Sequence, residues 1–407
     1  MAAMWVKVIV ILLLFLRLSR LSSSSSLVFE LRGNVYPIGQ FFVTMRIGEP
    51  AKPYFLHVDT GSGLTWLECD APRQSFHKVP HEVYRPRKSN IVPCEDERCA
   101  VMHKDLRTVH DCTELPDQCD YEINYKDGYS SMGVLLTDKF SLPMHNDRPN
   151  LAFGCGYDQQ GDKEELDVDG MLGIGRGTGD LVSQLKQQGL ITENVVGHCL
   201  SSHGGGYLFF GGDVPSTGVT WLPMDEKYMI YYSPGTVTWN LDVLLKYKLS
   251  KKPRDAIFDS GSAYSYVHMD TYEQLIQAVD VTLQDSTLQK VSDDPDLLQC
   301  WRYNEPIQSV DDVKNEFEPL ELTFTHDARQ VTLDIPPENY IVIMERGNVC
   351  LGILNGTEHG MEELTIIGDI TMQNHLVVYD NERARIGWVR ASCDIMPGSA
   401  PIIGSRL

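Results

Sequence analysis

Basic residues are scarce in this 407-residue chain: 35 Lys and Arg stand against 56 Asp and Glu, a formal net charge of −21 at pH 7. No long Lys/Arg run occurs, and phosphate binding needs a concentrated basic surface, so nucleic acid is not an expected ligand. The acidity also points to a working range below neutrality, where protonated carboxyls repel one another less. Long apolar runs are scarce too. The most pronounced, Val8 to Leu16, is too short to span a bilayer, which takes about 20 residues. With Lys7 before it and Arg17, Arg20 and the tract Ser22 to Ser26 after it, it reads as a signal peptide over residues 1–26. Stable membrane insertion is therefore not expected. Close metal-type pairs such as C-x-x-C are also missing. Cys94, Cys99, Cys112 and Cys119 sit at looser spacings, and a zinc site would favour tighter ones. His77 and His81 are four apart, but Pro80 and Pro86 argue against the helix that would bring them together. No metal and no cofactor are expected.

What is present is an ordinary globular composition, 42% apolar and 22% charged, which excludes disorder and fibrous architectures. The length fits two or three domains. Short β-branched or aromatic runs, as in Gln40 to Ile47, Tyr207 to Phe210 and Leu376 to Tyr379, alternate with Gly, Pro, Asn and Asp clusters. That pattern predicts an all-β architecture with minor helices over Leu181–Gln188, Thr271–Leu283 and Val310–Phe317. Gly204-Gly-Gly206 before Tyr207 reads as a hairpin turn, since neither a helix start nor a Lys-Ser/Thr pair follows to make a phosphate cradle. Asp293, Asp294 and Asp296 read as a solvated loop.

The most informative feature is an internal correspondence. Near residue 59 the chain reads His57-Val-Asp-Thr-Gly-Ser62, and near residue 259 it reads Ile257-Phe-Asp-Ser-Gly-Ser262. Each half then has two apolar residues before a glycine, Met171-Leu172-Gly173 and Ile366-Ile367-Gly368, at Asp-to-Gly separations of 114 and 109 residues. A period near 200 residues means two related lobes, each with its own core. We expect lobes at 27–215 and 216–395, with a boundary near Gly212 to Gly218 and a tail over 396–407.

A lone Asp-Ser/Thr-Gly triplet is an ordinary turn. Two copies, each after an apolar strand and before Ser, place one carboxylate from each lobe at a shared site. Peptide hydrolysis without a metal or a covalent nucleophile needs one group to accept a proton from water and another to protonate the carbonyl oxygen. Two adjacent carboxylates, Asp59 and Asp259, can do both, because close like charges cannot both ionise and the pair keeps one proton over an acidic range. Gly61 and Gly261 let backbone approach each carboxylate, and the hydroxyls of Thr60, Ser62, Ser260 and Ser262 are expected to orient it.

These residues resemble the pepsin-like aspartic protease family, and more closely its plant nucellin-like branch. The resemblance runs from about Val28 to Asp394. It is carried by Val58-Asp-Thr-Gly-Ser62 with Trp66, Gln118-Cys-Asp-Tyr-Glu-Ile-Asn-Tyr-Lys-Asp-Gly128, Phe153-Gly-Cys-Gly-Tyr-Asp-Gln-Gln160, Asp259-Ser-Gly-Ser-Ala-Tyr-Ser-Tyr266, Ile366-Ile-Gly-Asp369 and Ile386-Gly-Trp388. It implies the bilobal pepsin-like acid protease fold, two related β-rich lobes around a cleft. It also implies a flap whose Tyr125, near Gly128, closes over bound peptide and is hydrogen-bonded by Trp66.

Ten dispersed cysteines behind a signal peptide predict disulfides, and sequence leaves their connectivity open. The resemblance implies Cys94 with Cys119, Cys99 with Cys112, Cys199 with Cys393, and Cys300 with Cys350. Two further cysteines of the branch are replaced here by Arg73 and Phe76, so Cys69 and Cys155 either join each other or stay free. Gly63 and Tyr129 also depart from the branch, where a polar residue and a glycine are more usual. The segment between the Ser tract and the first strand is short for a basic prosegment. Asn355-Gly-Thr357 is a glycosylation acceptor.

The expected protein is a secreted or endomembrane aspartic endopeptidase of the cell wall or vacuole, monomeric, acting on proteins and peptides. Two other classes compete. A catalytically weak pepsin-like binding or inhibitor protein would lose a catalytic Asp or disturb the flap, and both features are present here. A two-carboxylate glycosidase has no need of the duplicated turn.

Overall fold

The computed structural model describes every residue except 1–25, 71–77, 114–116, 127, 144, 162–165, 213, 216, 226–229, 242–246, 249–253, 328, 362–363 and 398–407. The signal-peptide run, Arg73, Phe76, His77 and most of the tail lie outside the described residues.

The first half builds ten strands: β1 (Leu27–Asn34), β2 (Gln40–Ile47), β3 (Lys52–Asp59), β4 (Trp66–Glu68), β5 (Asp120–Asn124), β6 (Ser130–Ser141), β7 (Asn150–Gln160), β8 (Gly170–Gly173), β9 (Val195–Leu200) and β10 (Gly206–Phe210). The period-2 signal is plain in β1, where Leu27, Phe29 and Leu31 point inward and Glu30 and Arg32 face solvent. Strands β1 to β10 join a 13-stranded sheet whose far edge comes from the second half: His375–Asp380 pairs with β9, and Arg385–Arg390 pairs with His375–Asp380. The chain thus returns at its end to the sheet it began. The second half also forms an eight-stranded sheet around Tyr232–Leu241, Arg254–Phe258 and Leu364–Ile367, and a four-stranded sheet containing Cys300–Arg302 and Val349–Leu351.

The two halves repeat one local device. Strand β3 runs parallel to β8, with Asp59 opposite Gly173; Arg254–Phe258 runs parallel to Leu364–Ile367, with Phe258 opposite Ile367. These short parallel pairs are buried on both faces, which explains why their sequences are apolar without alternation. The matched glycines exist for close approach. A Cβ on Gly173 would lie 2.5 Å from the Leu64 carbonyl oxygen, and one on Gly368 would lie 2.1 Å from that of Tyr264. Leu64 and Tyr264 each follow their half's aspartate by five residues.

Helices are few, as expected. Leu181–Gln187 and Met269–Thr282 are helical. The expected helix at Val310–Phe317 breaks into two 3-10 turns, Val310–Asp312 and Lys314–Glu316, because Val313 leaves the helical region at φ −134° to bury its side chain. Besides the single turn Asp369–Met372, one longer helix was not anticipated: α1 (Glu97–Leu106), N-capped by Asp96, whose carboxylate accepts from the Arg98 amide.

Helix α1 also corrects two disulfides. The bonds are Cys94–Cys112 and Cys99–Cys119, not the pairing implied by resemblance. Cys99 lies on the buried face of the helix, and Cys119 sits fully buried just before β5. Cys94 lies before the helix, and Cys112 comes back to it after the helix ends, with Cα atoms 5.6 Å apart. Cys199–Cys393 and Cys300–Cys350 pair as implied, and Cys69 joins Cys155. Such bonds fit a protein of the secretory pathway. No described helix is long and apolar enough to cross a membrane.

Cys199 and Cys393 are 194 residues apart and tie β9 to the chain just beyond its last strand. On the chain-entropy account a loop of that length is worth on the order of 5 kcal/mol. Cys393→Ser should lower stability by about 2–5 kcal/mol, read as a lower midpoint of thermal unfolding in non-reducing buffer. An unchanged midpoint would mean that strand pairing alone closes the sheet.

Candidate active site

Asp59 ends β3 and Asp259 follows Arg254–Phe258, so each carboxylate stands where a buried parallel pair of strands stops. The turn that follows each aspartate is closed by its own side chain. Gly61 N–H donates to Asp59 Oδ1 at 2.7 Å and Gly261 N–H to Asp259 Oδ1 at 2.9 Å. Ser62 Oγ donates to Asp59 Oδ2, and Ser262 Oγ donates to Asp259 Oδ2 at 3.0 Å. These are the orienting bonds expected of the two serines.

Thr60 and Ser260 act differently from expectation. Their hydroxyls do not touch their own half's carboxylate; they cross to the other half. Thr60 N–H donates to Ser260 Oγ at 3.2 Å, and Ser260 N–H donates to Thr60 Oγ1 at 2.9 Å. Thr60 Oγ1 donates in turn to the Phe258 carbonyl, and Ser260 Oγ to that of Val58. Local sequence could not show this, because each partner lies about 200 residues away.

This lock brings the carboxylates together across the cleft. A Cβ on Gly61 would lie 2.6 Å from Asp259 Oδ1, and one on Gly261 would lie 2.6 Å from Asp59 Oδ1. Each glycine is small because the opposite half's carboxylate occupies the space a side chain would need. Asp59 is 4% exposed, and burial raises its pKa, with the negative charge of Asp259 adding to the effect and the bonds from Ser62 and Gly61 opposing it. The arrangement therefore retains a proton well above the usual carboxylate range, and the titration belongs to the pair. One carboxylate to take a proton and one carboxyl to give one stand together.

The hairpin of β5 and β6 carries Tyr125 in its turn. Trp66 Nε1 donates to Tyr125 Oη at 2.7 Å. Gly128, at φ +87°, supplies the left-handed turn residue. Tyr129 stacks on Trp66 with ring centroids 6.2 Å apart, and a Cβ on Gly161 would lie 2.5 Å from its ring. The unusual tyrosine thus closes the hairpin's turn, its carbonyl accepting from the Tyr125 amide, while its ring packs on Trp66.

One group near the pair was quoted only as part of a motif. Asp369 follows Gly368 and is fully buried, and neither carboxyl oxygen has a hydrogen-bond partner among the described residues. The corresponding residue after Gly173 in the first half is the buried Ile174. Burial, with the charges of Asp259 and Asp59 adding to it, raises the Asp369 pKa well above the ordinary range and so favours its neutral form.

Other candidates resolve elsewhere. His81 Nδ1 lies 2.7 Å from Asp169 Oδ2, a polar contact within the first half. Asp293 pairs with Arg302, and Asp294 accepts from Asn348 and from the amides of Asp296 and Leu297. Asn355 is 7% exposed; it accepts from the Thr357 amide, and its Nδ2 donates to Glu358. That amide is engaged in the folded protein, so a glycan there would have to be attached before folding.

Two facing Asp-Thr/Ser-Gly turns on a duplicated β scaffold define the class of pepsin-like aspartic proteases. The xylanase inhibitor N-terminal family model matches residues 41–212, and the xylanase inhibitor C-terminal model matches residues 240–390. An aspartic proteinase of Oryza sativa subsp. indica is 46% identical, over 97% of this chain and 98% of its own. Aspartic proteinase 36 of Arabidopsis thaliana is 27% identical, over 88% of this chain and 74% of its own. The aspartic proteinase nepenthesin-1 of Nepenthes gracilis is 26% identical, over 87% and 78%. The crystal structure of basic 7S globulin from soybean superposes with a TM-score of 0.68 at 15% identity, covering 92% of this chain and 99% of that one, a likeness of fold. The chain belongs to this plant family of pepsin-like aspartic proteases.

A carboxyl whose pKa is raised by folding holds its proton more tightly folded than unfolded. Its contribution to stability is therefore complete below about pH 4 and is lost as pH rises toward the folded value. Asp59, Asp369, Asp180 at about 6 and Glu68 at about 8 all carry this sign, with burial as the first cause. The thermal midpoint should be higher at about pH 4.5 than at about pH 8, and Asp369→Asn should narrow that gap. A gap left unchanged by the substitution would show that Asp369 ionises as readily folded as unfolded.

Proposed function

We infer that this chain is an aspartic endopeptidase in which Asp59 and Asp259 share one proton and activate a water between them. The observation that carries the reading is the reciprocal close approach: each turn glycine lies against the other half's carboxylate. The ionised member takes a proton from water as the water oxygen attacks the scissile carbonyl carbon. The protonated member gives its proton to the carbonyl oxygen, so the intermediate is a neutral gem-diol. Collapse returns one hydroxyl proton to a carboxylate, the nitrogen receives the other carboxyl's proton, and the C–N bond breaks. The pair is then ready for another water.

Tyr125, held by Trp66, serves in this reading as the flap residue over bound peptide. The lobes are taken as residues 27–215 and 216–395, in line with family models that end and begin at 212 and 240. Five disulfides support delivery through the secretory pathway; the destination in this reading is the cell wall or vacuole, and the protein a monomer.

Asp59→Asn and Asp259→Asn should each lower cleavage of denatured protein at acidic pH by about 10²–10⁴-fold or more while leaving the thermal unfolding cooperative. Wild-type activity should fall as pH rises through the pair's elevated upper pKa. A purified, folded Asp59→Asn variant that still cleaves would refute the assignment.

A further inference from the structure

Beside the catalytic turn lies a cavity of about 210 Å³ that the mechanism does not use. Its floor is apolar: Leu64, Met102, Leu135 and Ala152 are all buried. Val101 of helix α1 lines it where the helix meets the following loop, a Cβ on Gly179 lying 2.8 Å from Val101 Cγ1, and Gln184 lines it as well. Gly63 opens onto it. A Cβ built on Gly63 meets no heavy atom within 4 Å, and its φ is not left-handed, so empty space stands where a side chain would fit.

The walls connect to the catalytic turn through few bonds. Gly63 follows Ser62, whose hydroxyl donates to Asp59 and whose carbonyl accepts from the Gly175 amide at 2.6 Å. Three residues on, the Thr178 and Gly179 amides donate to Asp105 Oδ2 of helix α1 at 2.8 and 2.7 Å. Asp105 thus fastens the helix to the same loop that backs the catalytic turn. The two disulfides Cys94–Cys112 and Cys99–Cys119 hold the helix from its other side. The result is a rigid apolar recess at the edge of the catalytic loop, with charged groups such as Glu97 and Arg98 at its rim; Arg98 is already paired with Asp96 at 2.7 Å.

We propose that this recess is a substrate subsite contributed by helix α1: it takes one large apolar side chain of the bound peptide, and Val101 sets the size it accepts. The proposal rests on the endopeptidase reading above. A peptide lying along the catalytic turn passes Gly63, and an aliphatic or aromatic side chain entering there leaves water for a dry, preformed floor. Selectivity follows from contact, since the lining charges Arg98 and Asp105 are already bonded to Asp96 and to the 178–179 loop, and one missing methylene in such a pocket costs several-fold in kcat/KM.

The test uses the full mature chain on a peptide library, followed by pairs of peptides that differ only as Leu or Ala at the selected position. Wild type is expected to prefer Leu or Phe over Ala at one position. Val101→Trp fills the recess and should lower the Leu-to-Ala ratio of kcat/KM at least tenfold. Val101→Ala enlarges it and should move the preference toward Phe or Trp, which keeps the test open if the Trp variant does not fold. A wild type that cleaves but whose preferences ignore Val101 overturns this inference and leaves the endopeptidase reading standing. A wild type that cleaves nothing over an acidic pH range overturns both.

Discussion

The structure depends on the reciprocal bonds between Thr60 and Ser260. Each hydroxyl accepts the other residue's amide and donates to a carbonyl in the other half, so four buried hydrogen bonds cross between lobes at one point. Such bonds are worth about 1 kcal/mol each net, but breaking one leaves a buried polar group unsatisfied at a cost of about 1–3 kcal/mol. The lock therefore tolerates little sliding. Because it sits one residue beyond each aspartate, it sets the carboxylate separation directly, and the glycines that follow allow that separation to be short.

The geometry has an electrostatic price that the rest of the lobe interface accommodates. The buried Asp59 faces the half-buried Asp259, and a third carboxyl, the buried Asp369, lies near them without a hydrogen-bond partner among the described residues. Ordinary proteins keep such groups at the surface. Here they are tolerable because under acidic conditions the pair shares a proton and Asp369 favours its neutral form, which agrees with the acidic bulk composition: a net charge of −21 at pH 7 shrinks as pH falls. Site chemistry and colloidal behaviour favour the same pH range.

Helix α1 shows how the duplicated scaffold differs between its halves. It lies between β4 and β5, held by Asp105 to the loop behind the catalytic turn and by two disulfides to its own flanks. Its inward residues Cys99 and Met102 complete a small apolar cluster with Trp66, Tyr121 and Leu135. The signals for it stood in the sequence: an Asp96 N-cap and apolar residues at Cys99, Met102 and Leu106 in helical spacing.

Much of the site was legible in the residues themselves. Asp59 and Asp259, their following glycines and the downstream Gly173 and Gly368 could be matched because a turn and a close backbone approach leave short-range traces in residue type. The strand character of β1 and β2 was equally plain, since burial on alternate sides needs only period-2 patterning. What depends on distance in space was not legible. Thr60 and Ser260 look like local orienters until the two halves meet; Cys94 and Cys99 choose their partners only once α1 has turned Cys99 inward; Asp369 looks like any polar residue after a glycine until it is enclosed. Sequence by itself determined which groups could react, because chemistry belongs to residue types. Tertiary structure decided how they are charged and what they touch, because hydrogen bonding, desolvation and packing are set by neighbours far along the chain.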